Sequence, residues 1–274
     1  MVVVFSDLDG TLLSHGDYRW DAARPALTSL NERGIPLVFT TSKTRAEVEY
    51  WRHLLDNHHP FVVENGGAVY VPRGYSPLPP RGAIARDGYE VTEFGAPYEE
   101  LISDLRSASA RTRVPIRAFH ELSAIEIAGL CGLPVPQAEL AKRREYDEPF
   151  EVLDGAGAAA LAAEVESLGR RWTRGGRFHH ISGQNDKAKA VVLLIEMYQR
   201  LYGRVMTIGL GDAPNDAAFL NVVSIPVVVR SPNWHELKEI VPRARVSDTE
   251  GPAGWNTEVL EILSWFPQDA GRQR

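Results

Sequence analysis

A chain of 274 residues, 44% hydrophobic and 24% charged, has the makeup of a globular protein with room for one or two domains. Its net charge of −6 argues against nucleic acid as a partner, and no stretch approaches the roughly 20 apolar residues that a membrane-spanning helix needs. The single cysteine, Cys131, excludes an internal disulfide, and with no secretory signal in view the cytoplasm is the expected compartment.

The first element is the run Val2-Val3-Val4, which predicts a buried strand. Phe5-Ser6-Asp7-Leu8-Asp9-Gly10-Thr11 follows, with two carboxylates one residue apart and then a glycine suited to a tight turn. If the extended geometry persists to Asp9, both acids point the same way. Two like charges there cost energy unless a cation or a shared proton offsets them, so a divalent metal is the natural expectation. The pair also offers a nucleophile beside a proton carrier. A helix over about 21–33 ends at Gly34, a strand covers 35–40, and a helix over 44–56 starts with Thr44 and Glu47 in a capping-box pattern. Phe61-Val62-Val63 predicts a third strand, and Asn65-Gly66 a type I′ hairpin turn into Ala68-Val69-Tyr70-Val71.

The proline- and glycine-dense stretch 72–82 predicts a domain boundary. After it the texture changes. Strands are predicted near 89–94, 150–153 and 178–181, and helices near 97–110, 123–131, 136–145 and 157–169. From about 186 the first texture returns: a helix over 186–202, a strand over 204–209, a helix over 215–221, a strand over 224–229, and helices over 232–241 and 256–265. Residues 267–274 read as a frayed tail. The expectation is an α/β core with a mainly parallel sheet, formed by 1–82 and 186–274, interrupted by an α+β insert over 83–185. Trp20, Trp51 and Trp265 are predicted to be core residues.

A second acidic cluster lies in Gly209-Leu210-Gly211-Asp212-Ala213-Pro214-Asn215-Asp216, again after an apolar strand. In open α/β sheets ligands bind beyond the carboxyl ends of the strands, so Asp7, Asp9, Asp212 and Asp216 are predicted to meet at one metal site. Oxygen donors alone suit Mg²⁺ better than zinc, and the eight histidines show no zinc spacing. Asp216 has a second reading as an acid that interacts with a helix N-terminus.

Four motifs in order resemble those of the haloacid dehalogenase-like phosphohydrolases: Asp7-Leu8-Asp9-Gly10-Thr11, then Thr41 after a strand, then Lys187 in Asn185-Asp186-Lys187, then Gly209 to Asp216. The resemblance implies Asp7 as nucleophile, Asp9 as acid and base with its main-chain oxygen on the metal, and Thr41 and Lys187 on the phosphoryl group. It implies Asp212 as a metal ligand, and Asp216 as a ligand or a residue behind one. An insert between the second and third motifs resembles the C2 type of cap. Within the insert, Ala141 to Phe150 and Phe178-His179-His180-Ile181-Ser182-Gly183 are similar to segments of the mannosyl-3-phosphoglycerate phosphatases, as are Glu64-Asn65-Gly66-Gly67 and Gly251 to Asn256. That likeness implies hydrolysis of mannosyl-3-phosphoglycerate, or of its glucosyl counterpart, to the glycosylglycerate, a compatible solute. The partner is then a small phosphorylated glycoside, with Ser42, Lys43, Arg144 and Ser182 on the substrate and Arg144 clamping its carboxylate. Asp147 departs from the small hydroxyl residue that relatives often carry there. The alternatives are another sugar-phosphate phosphatase of the superfamily, a phosphohexomutase, and a non-catalytic sugar-phosphate binding protein.

Overall fold

The computed structural model describes residues 1–175, 178–232 and 234–266. The tail expected over 267–274 lies outside the described residues. The chain opens with β1 (Val2–Ser6), α1 (Arg24–Glu32), β2 (Leu37–Thr40), α2 (Arg45–Leu54), β3 (Phe61–Val63), β4 (Ala68–Pro72), β5 (Ile84–Arg86) and β6 (Tyr89–Glu93). A second group follows: α3 (Tyr98–Thr112), β7 (Ile116–Ala118), α4 (Ala124–Cys131), α5 (Val135–Ala141), β8 (Asp147–Val152), α6 (Ala158–Ser167), β9 (Arg171–Gly175) and β10 (Phe178–Ser182). The chain then runs through α7 (Lys187–Tyr202), β11 (Met206–Gly211), α8 (Ala217–Leu220), β12 (Ile225–Arg230), α9 (Trp234–Ile240), β13 (Arg245–Glu250) and α10 (Gly251–Ser264).

Among the described residues a nine-stranded sheet has the order β13-β12-β11-β1-β2-β3-β4-β6-β5. It is parallel from β13 to β3 and antiparallel from β3 to β5. Alternation along β1 explains its apolar run: Val2 and Val4 join one buried cluster with Leu30, Trp51 and Trp255, while Val3 and Phe5 join another with Leu194 and Phe219. Strand order reverses between β1 and β11, which opens a crevice at their carboxyl ends. A four-stranded antiparallel sheet, β7-β8-β10-β9, carries α3 and α6 on one face through Leu101, Leu105, Leu161 and Val165. This is an α/β core with an inserted α+β cap. No helix among the described residues is long and apolar enough to cross a membrane.

Several local expectations change. Residue 83 is the predicted boundary, yet β5 and β6 continue the large sheet, with β6 between β4 and β5. The Pro/Gly stretch is the connection from β4 to this edge, because antiparallel pairing needs only a reversing loop. The smaller sheet is drawn from residues after Glu93, and the first helix after it begins at Lys187. Asn65-Gly66 does not form a two-residue turn. Val63 pairs with Ala68, so four residues connect the strands, and Glu64, Asn65 and Gly66 all have positive φ. Strands β5, β7, β9 and β13 are absent from the sequence expectation; α10 begins at Gly251 rather than about 256, and α5 stops at Ala141. Trp51 is buried and Trp20 packs at the core edge, but Trp265 is 52% exposed, lying under the Arg245 guanidinium.

Candidate active site

β1 ends at Ser6, and Asp7 follows with its N–H donating to Leu210 O at 2.9 Å. That pairing brings the end of β1 beside the end of β11, and Asp212 lies just beyond it. Asp7, Asp212 and Asp216 are all buried, and each offers a carboxylate oxygen within 4.8 Å of the others. Lys187, the first residue of α7, enters this group with a fully buried side chain. Its Nζ donates to Asp7 Oδ1 at 2.7 Å and to Asp216 Oδ1 at 2.6 Å. Asp216 Oδ2 accepts from the N–H groups of Asp212 and Ala213 at 3.0 and 3.2 Å. Asp212 accepts from the Thr11 hydroxyl at 3.0 Å, and its other oxygen lies 3.0 Å from His15 Nε2.

The carboxylate of Asp9 lies outside that group. Because the strand stops at Ser6, extended alternation does not carry Asp9 to the side of Asp7. Asp9 Oδ1 is 3.0 Å from Lys43 Nζ, which is also 3.5 Å from Glu47 Oε1 and sits over the Tyr18 ring. Thr41 is buried, and its Oγ1 accepts from Lys43 N–H at 3.2 Å, so the hydroxyl hydrogen can serve a further acceptor.

Burial shapes the charges. It lifts the Asp7 carboxyl well above the usual range; nearby Asp216 adds to this, and Lys187 opposes it. Burial alone would lower Lys187, but Asp216 and Asp7 more than reverse that, and the ammonium is held charged. Lys43 behaves likewise, with Asp9 and Glu47 overcoming its burial. The His15 imidazole is raised by its hydrogen bond to Asp212 against partial burial.

A cavity of about 600 Å³ opens over Lys187, lined by Ser42 and Asn65 from the core and by Arg171, His180 and Ser182 from the cap. Of the residues expected on the substrate, Ser42 and Ser182 lie on this wall, whereas Lys43 and Arg144 do not. Arg144 is buried, and its guanidinium donates to Ser42 O at 3.1 Å, Ala141 O at 3.1 Å and Asp147 Oδ2 at 3.2 Å. It joins core to cap and is committed to protein partners, so the carboxylate clamp expected of it is corrected. His15, Asp147, Arg171 and His180 carry site contacts that the sequence reading did not assign. His180 stood in a quoted motif, but nothing local showed which way its ring would face.

This arrangement, with buried acids and a lysine at the carboxyl ends of parallel strands beneath a cap, defines a haloacid dehalogenase-like hydrolase. The model of the haloacid dehalogenase-like hydrolase family matches residues 4–76. A solved phosphatase of that superfamily from Bacteroides thetaiotaomicron shares the fold, with a TM-score of 0.66 at 19% identity over 96% of this chain and 95% of that one. A glucosyl-3-phosphoglycerate/mannosyl-3-phosphoglycerate phosphatase from Methanococcoides burtonii is 40% identical over 95% of this chain and 97% of its own. One of the same name from Persephonella marina is 37% identical over 96% and 97%. The chain belongs to the mannosyl-3-phosphoglycerate phosphatase family, a family of phosphoric monoester hydrolases.

Proposed function

We propose that this protein is a Mg²⁺-dependent phosphatase of the cytoplasm that hydrolyses mannosyl-3-phosphoglycerate, and its glucosyl counterpart, to the glycosylglycerate and phosphate. The observation that carries the reading is Lys187 bridging Asp7 and Asp216, with Asp212 alongside, at a cavity walled by core and cap. The names of the relatives supply the substrate class.

The donor set fits Mg²⁺. Three buried carboxylates close together, with one buried lysine on two of them, leave excess negative charge, and every donor is oxygen. Asp7 and Asp212 would hold the ion through side chains and Asp9 through its main-chain oxygen. Asp216, whose oxygens are taken by Lys187 and two N–H groups, would orient the others from behind. When bound, the ion neutralises these acids and the phosphoryl oxygens.

The remaining chemistry belongs to the chain. Asp7 attacks phosphorus; its new O–P bond forms as the bond from phosphorus to the glycerate oxygen breaks, giving an aspartyl phosphate. Asp9 gives its proton to the departing oxygen. It then takes one from the water that cleaves the aspartyl phosphate. Lys43 Nζ, 3.0 Å from Asp9 Oδ1, fixes the position of that side chain. Lys187 and the Thr41 hydroxyl stabilise the phosphoryl oxygens, and Ser42 and Ser182 face the substrate. The test is phosphate release across mannosyl- and glucosyl-3-phosphoglycerate and a set of hexose phosphates, with Asp7→Asn as control. Preference for the glycosyl-phosphoglycerates, with turnover down roughly 10⁴-fold or more in the variant, supports the reading. Preference for a hexose phosphate, or an active variant, refutes it.

A further inference from the structure

The register of the cap sheet decides which of its side chains meet the cavity. Ser182 pairs with Asp147 on one side and Arg171 on the other, and His180 pairs with Thr173. Alternation therefore puts Arg171, Thr173, His180 and Ser182 on one face, and all four line the cavity with Lys187. The intervening residues, Trp172 and Ile181, pack with Phe150 in the cap core.

Asp147 lies beneath that face and is 1% exposed. Its Oδ2 is 3.0 Å from His180 Nδ1 and 3.2 Å from Arg144 Nη1. An ionised carboxylate can only accept, so the proton of this bond sits on Nδ1, which leaves Nε2 for the cavity. A ring that carries both protons also donates from Nε2 into the cavity. Arg171 is held as well, with Nη1 donating to Asn185 O at 2.7 Å. Acids on the same wall are engaged: Asp147 with Arg144 and His180, and Asp186 with the N–H of Lys189 at the start of α7. Glu236 stands on the α9 side.

We propose that His180 and Arg171 together receive the carboxylate of the substrate's glycerate group, and that Asp147, backed by Arg144, positions His180 for it. This rests on the substrate class proposed above. In that substrate the carboxyl carbon lies two bonds from the carbon bearing the phosphate. A phosphate at Lys187 therefore sends the carboxylate along the same cavity, and N–H donors from two side chains suit it.

The experiment compares a glycosyl-3-phosphoglycerate with its carboxyl methyl ester, for the native enzyme and for His180→Ala, His180→Gln and Asp147→Asn. The native enzyme should prefer the acid. His180→Ala should lose roughly 10- to 100-fold more on the acid than on the ester, mainly through KM, as expected for one charge-assisted hydrogen bond. His180→Gln, whose amide reaches toward the place of Nε2, should recover part of the loss. Asp147→Asn should shift KM for the acid in the same sense. Equal losses on acid and ester overturn the assignment while the native preference stands. A native enzyme that leaves both untouched yet hydrolyses hexose phosphates overturns the substrate reading, and this inference with it.

Discussion

Lys187 is a charged side chain taken out of water, and it persists because two carboxylates lie within 2.7 Å. Such a group both organises a site and makes it fragile. Lys187→Met should leave Asp7 and Asp216 buried without their cation, at a cost of about 3–5 kcal/mol in metal-free solution. Urea unfolding checks this, and the loss should shrink at low pH, where protonated carboxyls need no partner. A loss unchanged by pH would mean that packing, not charge, is what the lysine supplies. Lys187 was legible in the sequence because it stands in a short string before a helix. Arg144 was legible as a residue but not as a role, since its partners Ser42 and Asp147 come from separate elements.

The connection from β3 to β4 shows an element built for its neighbours. Glu64 and Asn65 adopt positive φ, uncommon for residues with side chains, and Gly66 continues the run at φ +88. A Cβ on Gly66 would overlap the carbonyl of Asp186, just before Lys187. The strained loop thus lets α7 approach closely enough to deliver its lysine. Gly66→Ala should cost at least about 1–3 kcal/mol from backbone conformation alone, with overlap adding to it. A thermal midpoint equal to the native value would show that the loop and α7 shift freely. The dipeptide signal for a turn was correct in place and wrong in type, because the tertiary contact with α7 selected the backbone. By contrast the Thr44–Glu47 capping box forms as the spacing predicts, and Ser123 with Glu126 forms another, since such hydrogen bonds span three residues.

At the scale of the whole molecule, the segment 141–147 ties cap to core. Tyr146 belongs to the main core cluster, and a Cβ on Gly95 would lie 2.7 Å from its Cβ. The Glu64 carboxylate accepts from the N–H groups of Glu145 and Tyr146 at 3.0 and 2.7 Å. Burial pushes this carboxyl up to about 8, against the pull of Arg144 and the two N–H donors. Between the ordinary 4.5 and about 8 the folded state keeps a proton that the unfolded chain has lost. Stability from this group therefore falls as pH rises through that window, and is flat outside it. Glu64→Gln should gain in melting temperature relative to the native protein from pH 5 to pH 8; a constant difference would place the proton elsewhere. The proposed Mg²⁺ ion is a second whole-molecule lever. Mg²⁺ at about 100 times its dissociation constant should stabilise the fold by about 2.7 kcal/mol, and Asp212→Asn should abolish that shift. An equal shift in the variant would remove Asp212 from the metal site.

What the sequence by itself determined was the inventory of side chains for the proposed chemistry: Asp7, Asp9, Lys187, Asp212 and Asp216, each set by a strand, a turn and a few neighbours. It also determined the alternation of core and insert, since hydrophobic period is a local property. Only the tertiary structure decided that Asp9 faces Lys43 while Asp216 shares Lys187, that Arg144 is a strut, that β5 and β6 belong to the core, and that His180 looks into the cavity. Those outcomes depend on burial and on strand register, which arise between segments far apart in the chain and which no short window contains.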